Sequence, residues 1–151
     1  MDFVVIPCNA AHVGLAEIRR AAGCPVVSMI DVTLDDVARR GWRRVGVLGF
    51  RAAPLMYVDP LRARGVHCEA IDGALQARLD AGIQALMEGG EGATETAAAR
   101  AAVDALRAAH VDGVVLGCTE IPLLLGEDAK DLVNPVALLA EAAVRRALSD
   151  Q

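Results

Sequence analysis

Two stretches of this chain follow the same plan, residues 3–12, FVVIPCNAAH, and residues 113–122, GVVLGCTEIP. Each is an apolar run that ends near a cysteine, which is followed by a small polar residue and then a helical pattern. Runs rich in β-branched residues that are apolar throughout are typical of parallel strands that are buried on both faces. The two stretches therefore predict buried strands that carry Cys8 and Cys118 at their carboxyl ends.

Between these stretches, short apolar runs alternate with longer amphipathic patterns. This alternation predicts an α/β fold in which helices flank parallel sheets. Strands are predicted within residues 3–7, 25–30, 43–50, 65–71 and 112–118, and helices within residues 10–23, 32–41, 53–65, 75–88, 95–110 and 135–148. In such sheets, ligands bind beyond the carboxyl ends of the strands, which is where both cysteines are expected.

Single residues give more local predictions. Asp31 has the position of an N-cap residue for the helix that follows it. Pro60 is expected to kink or break its helix, because proline lacks an N–H group. The segment 89–94, GGEGAT, predicts the most flexible connection of the chain. Cys24 and Cys68 lie in short apolar segments and are expected to be buried core thiols.

Composition narrows the class of protein. The 151 residues are 54% hydrophobic but only 3% aromatic, which predicts one aliphatic core. The net charge of −5 and the lack of a basic cluster argue against nucleic acid as a partner. The sequence has neither an apolar run of bilayer length nor a basic leader, so we expect no membrane partner and a cytoplasmic location. Four cysteines without a C-x-x-C pair do not suggest a disulfide framework.

The residue types at the two strand ends suggest proton transfer. A cysteine before a helix lies near backbone N–H groups, which lower a thiol pKa and also hold carboxylates. Asn9 and Thr119 would add side-chain hydrogen bonds to the same anion. If the two units faced each other, Cys8 and Cys118 would lie on opposite faces of a substrate's α-carbon. One would remove the α-proton and the other would return a proton, without any cofactor in principle.

Simpler interpretations remain open at this point. Cys8 and Cys118 are alternatively a pair of buried core thiols. His12 follows Cys8 by four positions, the spacing of half a metal site on a helix, but no further ligand is near in sequence. A histidine that satisfies a backbone group is therefore the better interpretation, and we expect no metal. Glu120 either binds substrate or favours the start of a short helix.

The cysteine motifs resemble those of a known family. Residues 7–12, PCNAAH, and residues 117–125, GCTEIPLLL, are similar to the C-N-T-A-H and G-C-T-E motifs of the cofactor-independent aspartate/glutamate racemases. The resemblance implies two pseudo-symmetric, Rossmann-like halves that face each other, each with one catalytic cysteine. It assigns the acid/base roles to Cys8 and Cys118.

The resemblance also implies the remaining properties of the site. Asn9, Thr119 and Glu120 would hold the carboxylate and amino groups of the substrate. That substrate would be a small acidic amino acid or a related carboxylate, and no cofactor would be needed.

The division into halves follows from the same resemblance. Residues 1–40 and 134–151 would form the remainder of the first half, and residues 41–133 the second half. Members of the family have a substantial segment before the first cysteine motif, whereas Met1 lies seven positions before Cys8. The first half is therefore expected to be incomplete. An exposed sheet edge predicts self-association, as a homo-oligomer, or instability in isolation.

Several positions depart from the family pattern. Ala10 replaces the threonine of the first motif, and residues 51–54, RAAP, replace a turn in which threonines are common. The only lysine is Lys130, away from the segment where relatives often carry one. These losses predict weak activity or a substrate without a second carboxylate. Arg51 is a candidate replacement for a lost donor.

Two alternatives to the racemase hypothesis follow. The first is a weakly active or inactive homologue that acts as a carboxylate-binding domain. The second is a related thiol-dependent isomerase or decarboxylase for unsaturated or malonate-type diacids, which the G-C-T-E run makes less favoured.

Overall fold

A computed structural model describes residues 2–90, 92–126 and 129–149. These residues form six strands, β1 Val4–Ile6, β2 Val26–Ser28, β3 Arg44–Leu48, β4 His67–Glu69, β5 Gly113–Leu116 and β6 Leu132–Val133. The same described residues form seven α-helices, α1 Leu15–Ala22, α2 Met29–Arg39, α3 Leu55–Ala63, α4 Gly73–Met87, α5 Ala93–Ala108, α6 Ile121–Leu125 and α7 Pro135–Ser149. Within the described residues, no helix has both the length and the apolar character needed to cross a membrane.

The strands form two sheets in which every pairing is parallel. One sheet has the order β1-β2, and the other has the order β4-β3-β5-β6. The expected α/β class, with parallel sheets flanked by helices, is confirmed. The division into two racemase-like halves stays a prediction.

The central strand β5 is apolar at every position because helices cover both of its faces. Val114 and Leu116 of β5 pack in a cluster with α4, α5 and α6. Val115, between them, packs in a second cluster with α2 and α3. Since successive side chains of a strand point to opposite faces, one continuous apolar run fills both clusters.

Two local predictions are wrong, the N-cap at Asp31 and a helix break at Pro60, whereas a kink at Pro60 stays a prediction. The N-cap of α2 is Ser28 rather than Asp31, because the backbone of Ser28 is extended and its hydroxyl accepts the N–H of Asp31 at 3.1 Å. Helix α3 continues through Pro60. Tyr57 and Leu61, on either side of this proline, are fully buried, and their packing holds the helix together.

The first helical segment differs in detail from its prediction. It divides into a 3₁₀ helix, Ala10–Gly14, and the α-helix α1, which ends at Gly23 in the left-handed conformation, as expected. Cys24, just beyond, is only partly buried and is not the core thiol that was predicted, whereas Cys68 is buried. The segment predicted to be flexible includes Glu91, which lies outside the described residues.

Gly113 allows a direct test of the packing of Trp42 on β5. A methyl group at Gly113 would overlap the ring of Trp42, the single tryptophan of the chain. We expect Gly113→Ala to lower the free energy of unfolding by about 1–3 kcal/mol, because the ring has to move out of a packed position. Denaturant unfolding followed by Trp42 fluorescence measures this change.

The matched control is Gly73→Ala, since an added methyl at Gly73 meets nothing within 4 Å. The free energy of unfolding of Gly73→Ala is expected to be unchanged or slightly raised, because alanine favours a helix more than glycine does. Equal stability of the two variants would contradict the packing of Trp42 on β5.

Candidate active site

A cleft of about 440 Å³ lies at the carboxyl ends of β1, β3 and β5. Its walls come from residues 7–10, residues 50–53 and residues 117–120, together with Met56 and Met87. It is lined by every site residue predicted from the sequence, Cys8, Asn9, Cys118, Thr119 and Glu120. The structure thus brings together two motifs that belong to different sheets.

The amide of Asn9 connects the two motifs. Its Nδ2 donates to the carbonyl of Gly117 at 2.9 Å, and its Oδ1 accepts the hydroxyl of Tyr57 at 2.5 Å. Asn9 is 8% exposed and Tyr57 is fully buried. Burial raises the pKa of Tyr57, so the hydroxyl keeps its proton and remains a donor. Asn9 therefore has a structural role that the sequence analysis did not include, and its role in substrate binding stays a prediction.

Gly117 allows this close approach. A Cβ atom at this position would lie 2.7 Å from the Leu48 carbonyl oxygen and 3.1 Å from Cε2 of Tyr57. The N–H of Gly117 donates to the same Leu48 carbonyl at 2.7 Å. Only glycine fits between β3 and the tyrosine ring, which explains the residue that precedes Cys118.

His12 holds the loop that carries Cys8. Its Nε2 accepts the backbone N–H of Met29 at 3.2 Å, so its Nδ1 carries the proton and donates to the Cys8 carbonyl at 2.8 Å. The interpretation of His12 as a residue that satisfies backbone groups is confirmed. It links the first cysteine motif to the start of α2.

Cys118 and Glu120 form a thiol–carboxylate pair. Cys118 Sγ donates to Glu120 Oε2 at 2.9 Å, and Thr119 Oγ1 donates to the same oxygen at 2.8 Å. Burial, together with the neighbouring carboxylate, raises the pKa of Cys118 to about 12. Burial opposes ionisation of Glu120 too, but the hydrogen bonds from Cys118 and Thr119 outweigh it and lower the Glu120 pKa.

The expected lowering of the thiol pKa is therefore wrong for Cys118. Backbone N–H groups alone led to that expectation, whereas the burial of the thiol and the negative charge two residues later act in the opposite direction. At neutral pH the pair consists of a thiol and a carboxylate. Cys118 is thus protonated at rest, whereas Cys8, which also lines the cleft, is exposed.

The loop after β3 presents a cation to the cleft. Arg51 has a φ of 52°, a left-handed conformation that is uncommon for a non-glycine residue. Its N–H donates to Asp80 Oδ1 at 2.9 Å. Gln76 Nε2 donates to the same Asp80 oxygen at 2.8 Å and to the Gly49 carbonyl at 3.0 Å. Because α4 holds this unusual backbone in place, we interpret it as a feature of the site.

Three of these supporting residues were not predicted from the sequence. Gln76 and Asp80 are one helical turn apart, but nothing in the sequence indicates that they contact the β3 loop. Tyr57 is the only tyrosine of a chain with few aromatic residues, and that rarity was the one available signal. Arg51, named as a candidate donor, does line the cleft.

Comparisons with known proteins agree with this architecture. A family model described as Asp/Glu/Hydantoin racemase matches residues 1–147. The glutamate racemase of Beutenbergia cavernae is 36% identical over 150 residues, which cover 92% of this chain and 49% of that protein. A proposed Asp/Glu racemase of Yersinia pestis has a similar structure, with a TM-score of 0.85, 28% identity, and coverage of 97% of this chain and 66% of that one.

An aspartate racemase homologue from Pyrococcus horikoshii OT3 has the same fold, with a TM-score of 0.78 and 21% identity over 97% of this chain and 66% of that one. The chain therefore spans about half the length of the curated glutamate racemase and about two thirds of these solved structures.

The thiol–carboxylate pair leads to a test by pH dependence. In Glu120→Gln the negative charge is removed, so the pKa of Cys118 is expected to fall, by about one unit or more. A lower pKa means more thiolate, and iodoacetamide should then alkylate Cys118 faster at pH 8–9. Peptide mass spectrometry measures the alkylation of each cysteine.

Cys68, which is buried and away from this carboxylate, is the internal control in the same samples, and its alkylation should not change. Unchanged alkylation of Cys118 across the pH range would contradict the assigned pair.

Proposed function

Because the chain belongs to the Asp/Glu/Hydantoin racemase family, we propose that it is a cofactor-independent amino-acid racemase that uses Cys8 and Cys118 to remove and return an α-proton. Aspartate and glutamate, named for its relatives, are the reference substrates. The observation that carries the proposal is the lining of a single cleft by cysteines from two different sheets.

In the proposed reaction, the thiolate of Cys8 takes the α-proton from one face of the substrate. The carbanion that results takes a proton from the Cys118 thiol on the other face. One C–H bond breaks and another forms, while Cys8 becomes a thiol and Cys118 a thiolate. The opposite enantiomer follows the reverse path.

Glu120 adjusts the strength of the second base in this proposal. The α-proton of an amino acid is only weakly acidic. A thiolate beside a carboxylate is a stronger base than an isolated thiolate. The high pKa of Cys118 therefore suits proton removal once its thiolate has formed. Arg51 would stabilise the negative charge that develops on the substrate carboxylate.

A second candidate function is carboxylate binding without turnover. It is favoured by the hydrogen bonds already made by the Asn9 amide and by the Thr119 hydroxyl, which remove donors that a transition state would use. Under this alternative, the cleft would bind a carboxylate in the same position, and no proton would be exchanged.

Exchange of the α-proton with solvent distinguishes the two candidates. The chain is incubated in heavy water with each enantiomer of a panel of acidic and apolar amino acids, and the α-proton signal is followed by NMR. We expect exchange, and we expect Cys8→Ser or Cys118→Ser to slow it at least about 100-fold, since each removes an acid/base group.

Cys24→Ser is the matched control, because Cys24 does not line the cleft, and it should retain the exchange rate. The racemase proposal fails if folded wild-type chain exchanges no member of the panel, or if exchange survives in both cleft variants.

A further inference from the structure

We propose that the cleft selects α-amino acids that have an apolar side chain and a single carboxylate. This inference rests on the proposed proton transfer at the α-carbon and defines its substrate class. It differs from the reference substrates, aspartate and glutamate, which carry a second carboxylate.

The wall of the cleft favours an apolar ligand side chain. Half of the fourteen residues that line it have apolar side chains, and these come from residues 7–10, from residues 50–53 and from helices α3 and α4: Pro7, Ala10, Phe50, Ala52, Ala53, Met56 and Met87. Methionine side chains adapt to ligands of different shape, and an aromatic ring provides a large contact area. A wall of this kind contacts an alkyl or aryl side chain and leaves a charged one without hydrogen bonds.

The charges in the wall of the cleft balance each other. Among the described residues that line the cleft, Arg51 is the one cation and Glu120 the one carboxylate. The guanidinium of Arg51 lies 4.6 Å from the centroid of the Phe50 ring, which keeps it against the wall. One cation and one anion match the α-carboxylate and α-ammonium of a zwitterion. A second carboxylate would find no cation in this lining.

The side-chain amide and hydroxyl donors of the cleft already make hydrogen bonds within the protein. Asn9 Nδ2 donates to the Gly117 carbonyl, and Thr119 Oγ1 donates to Glu120. Holding a second carboxylate with either group would break an existing hydrogen bond. Moving an ionised carboxylate from water to such a wall is costly unless charge and hydrogen bonds compensate for it.

Leucine and aspartate form a matched pair for the test, because their side chains have the same number of non-hydrogen atoms and the same branching. In the heavy-water exchange experiment, we expect leucine to exchange its α-proton at least about tenfold faster than aspartate at equal concentration. Equal rates, or faster exchange of aspartate, would overturn the inference and leave the proton-transfer mechanism intact.

A binding measurement separates this inference from the mechanism. With ¹³C-methyl methionine, NMR reports on Met56 and Met87 in the cleft and on fully buried Met29 outside it as a reference. The probes are 4-methylpentanoate and succinate, which have equal numbers of non-hydrogen atoms. We expect 4-methylpentanoate to shift the two cleft methyl signals at lower concentration than succinate, without moving Met29.

The exchange and binding measurements can fail independently of each other. If no amino acid of the panel exchanges but 4-methylpentanoate binds in preference to succinate, the proton-transfer proposal is wrong and the apolar assignment stands. If succinate binds equally or more tightly, or if neither probe moves the cleft methyl signals, the apolar assignment is wrong.

A variant with an added positive charge in the cleft tests the same inference from the opposite direction. Met87 is 58% exposed, so Met87→Lys adds a cation at the cleft with little disturbance of the core. We expect the affinity ratio of succinate to 4-methylpentanoate to rise about two- to fivefold. Leu148→Lys, at another exposed apolar position, is the matched control and should leave the ratio unchanged. An equal effect of both variants would contradict the charge argument.

Discussion

The hydrogen bonds of the buried Asn9 amide are the interaction on which the site depends. One end of the amide binds the carbonyl that precedes Cys118, and the other end accepts the hydroxyl of Tyr57. Residues 108 positions apart in the chain are joined in this way. A buried amide without these partners would be costly, so its position is well defined. The loop that carries Cys8 is thereby fixed against the strand end that carries Cys118.

The thiols of Cys8 and Cys118 lie in different environments. Cys8 is exposed at the end of a three-residue strand, whereas Cys118 is partly buried beside a carboxylate. Burial and the carboxylate favour the protonated form of Cys118, so this thiol keeps its proton in the resting site. The proposed reaction needs one thiol that donates a proton and one thiolate that accepts a proton. In the proposal, the difference between the two environments makes Cys118 the first donor. The sequence motifs, which are similar, do not indicate the difference.

Apolar patterns that recur along the chain were enough to predict the strands. Contacts between residues that are far apart in the chain were not predictable from it. The uniform apolar character of residues 113–116 was enough to predict a parallel strand covered on both faces, and hence a cysteine at its carboxyl end. The bond between Tyr57 and Asn9 joins a helix to a loop 48 positions away, and no local pattern encodes it. The pKa of Cys118 depends on burial and on the Glu120 side-chain position, which both follow from tertiary packing.

The central claim is that Cys8 and Cys118 face one small cleft and that Asn9 holds them there. Treatment with 1,3-dibromoacetone at pH 9, followed by peptide mass spectrometry of the monomer, tests it most directly, because this short reagent bridges only neighbouring thiols. The account predicts an intramolecular bridge between Cys8 and Cys118, and its loss in Asn9→Ala. Alkylation of both cysteines without a bridge in the wild-type chain, or an undiminished bridge in Asn9→Ala, would contradict it.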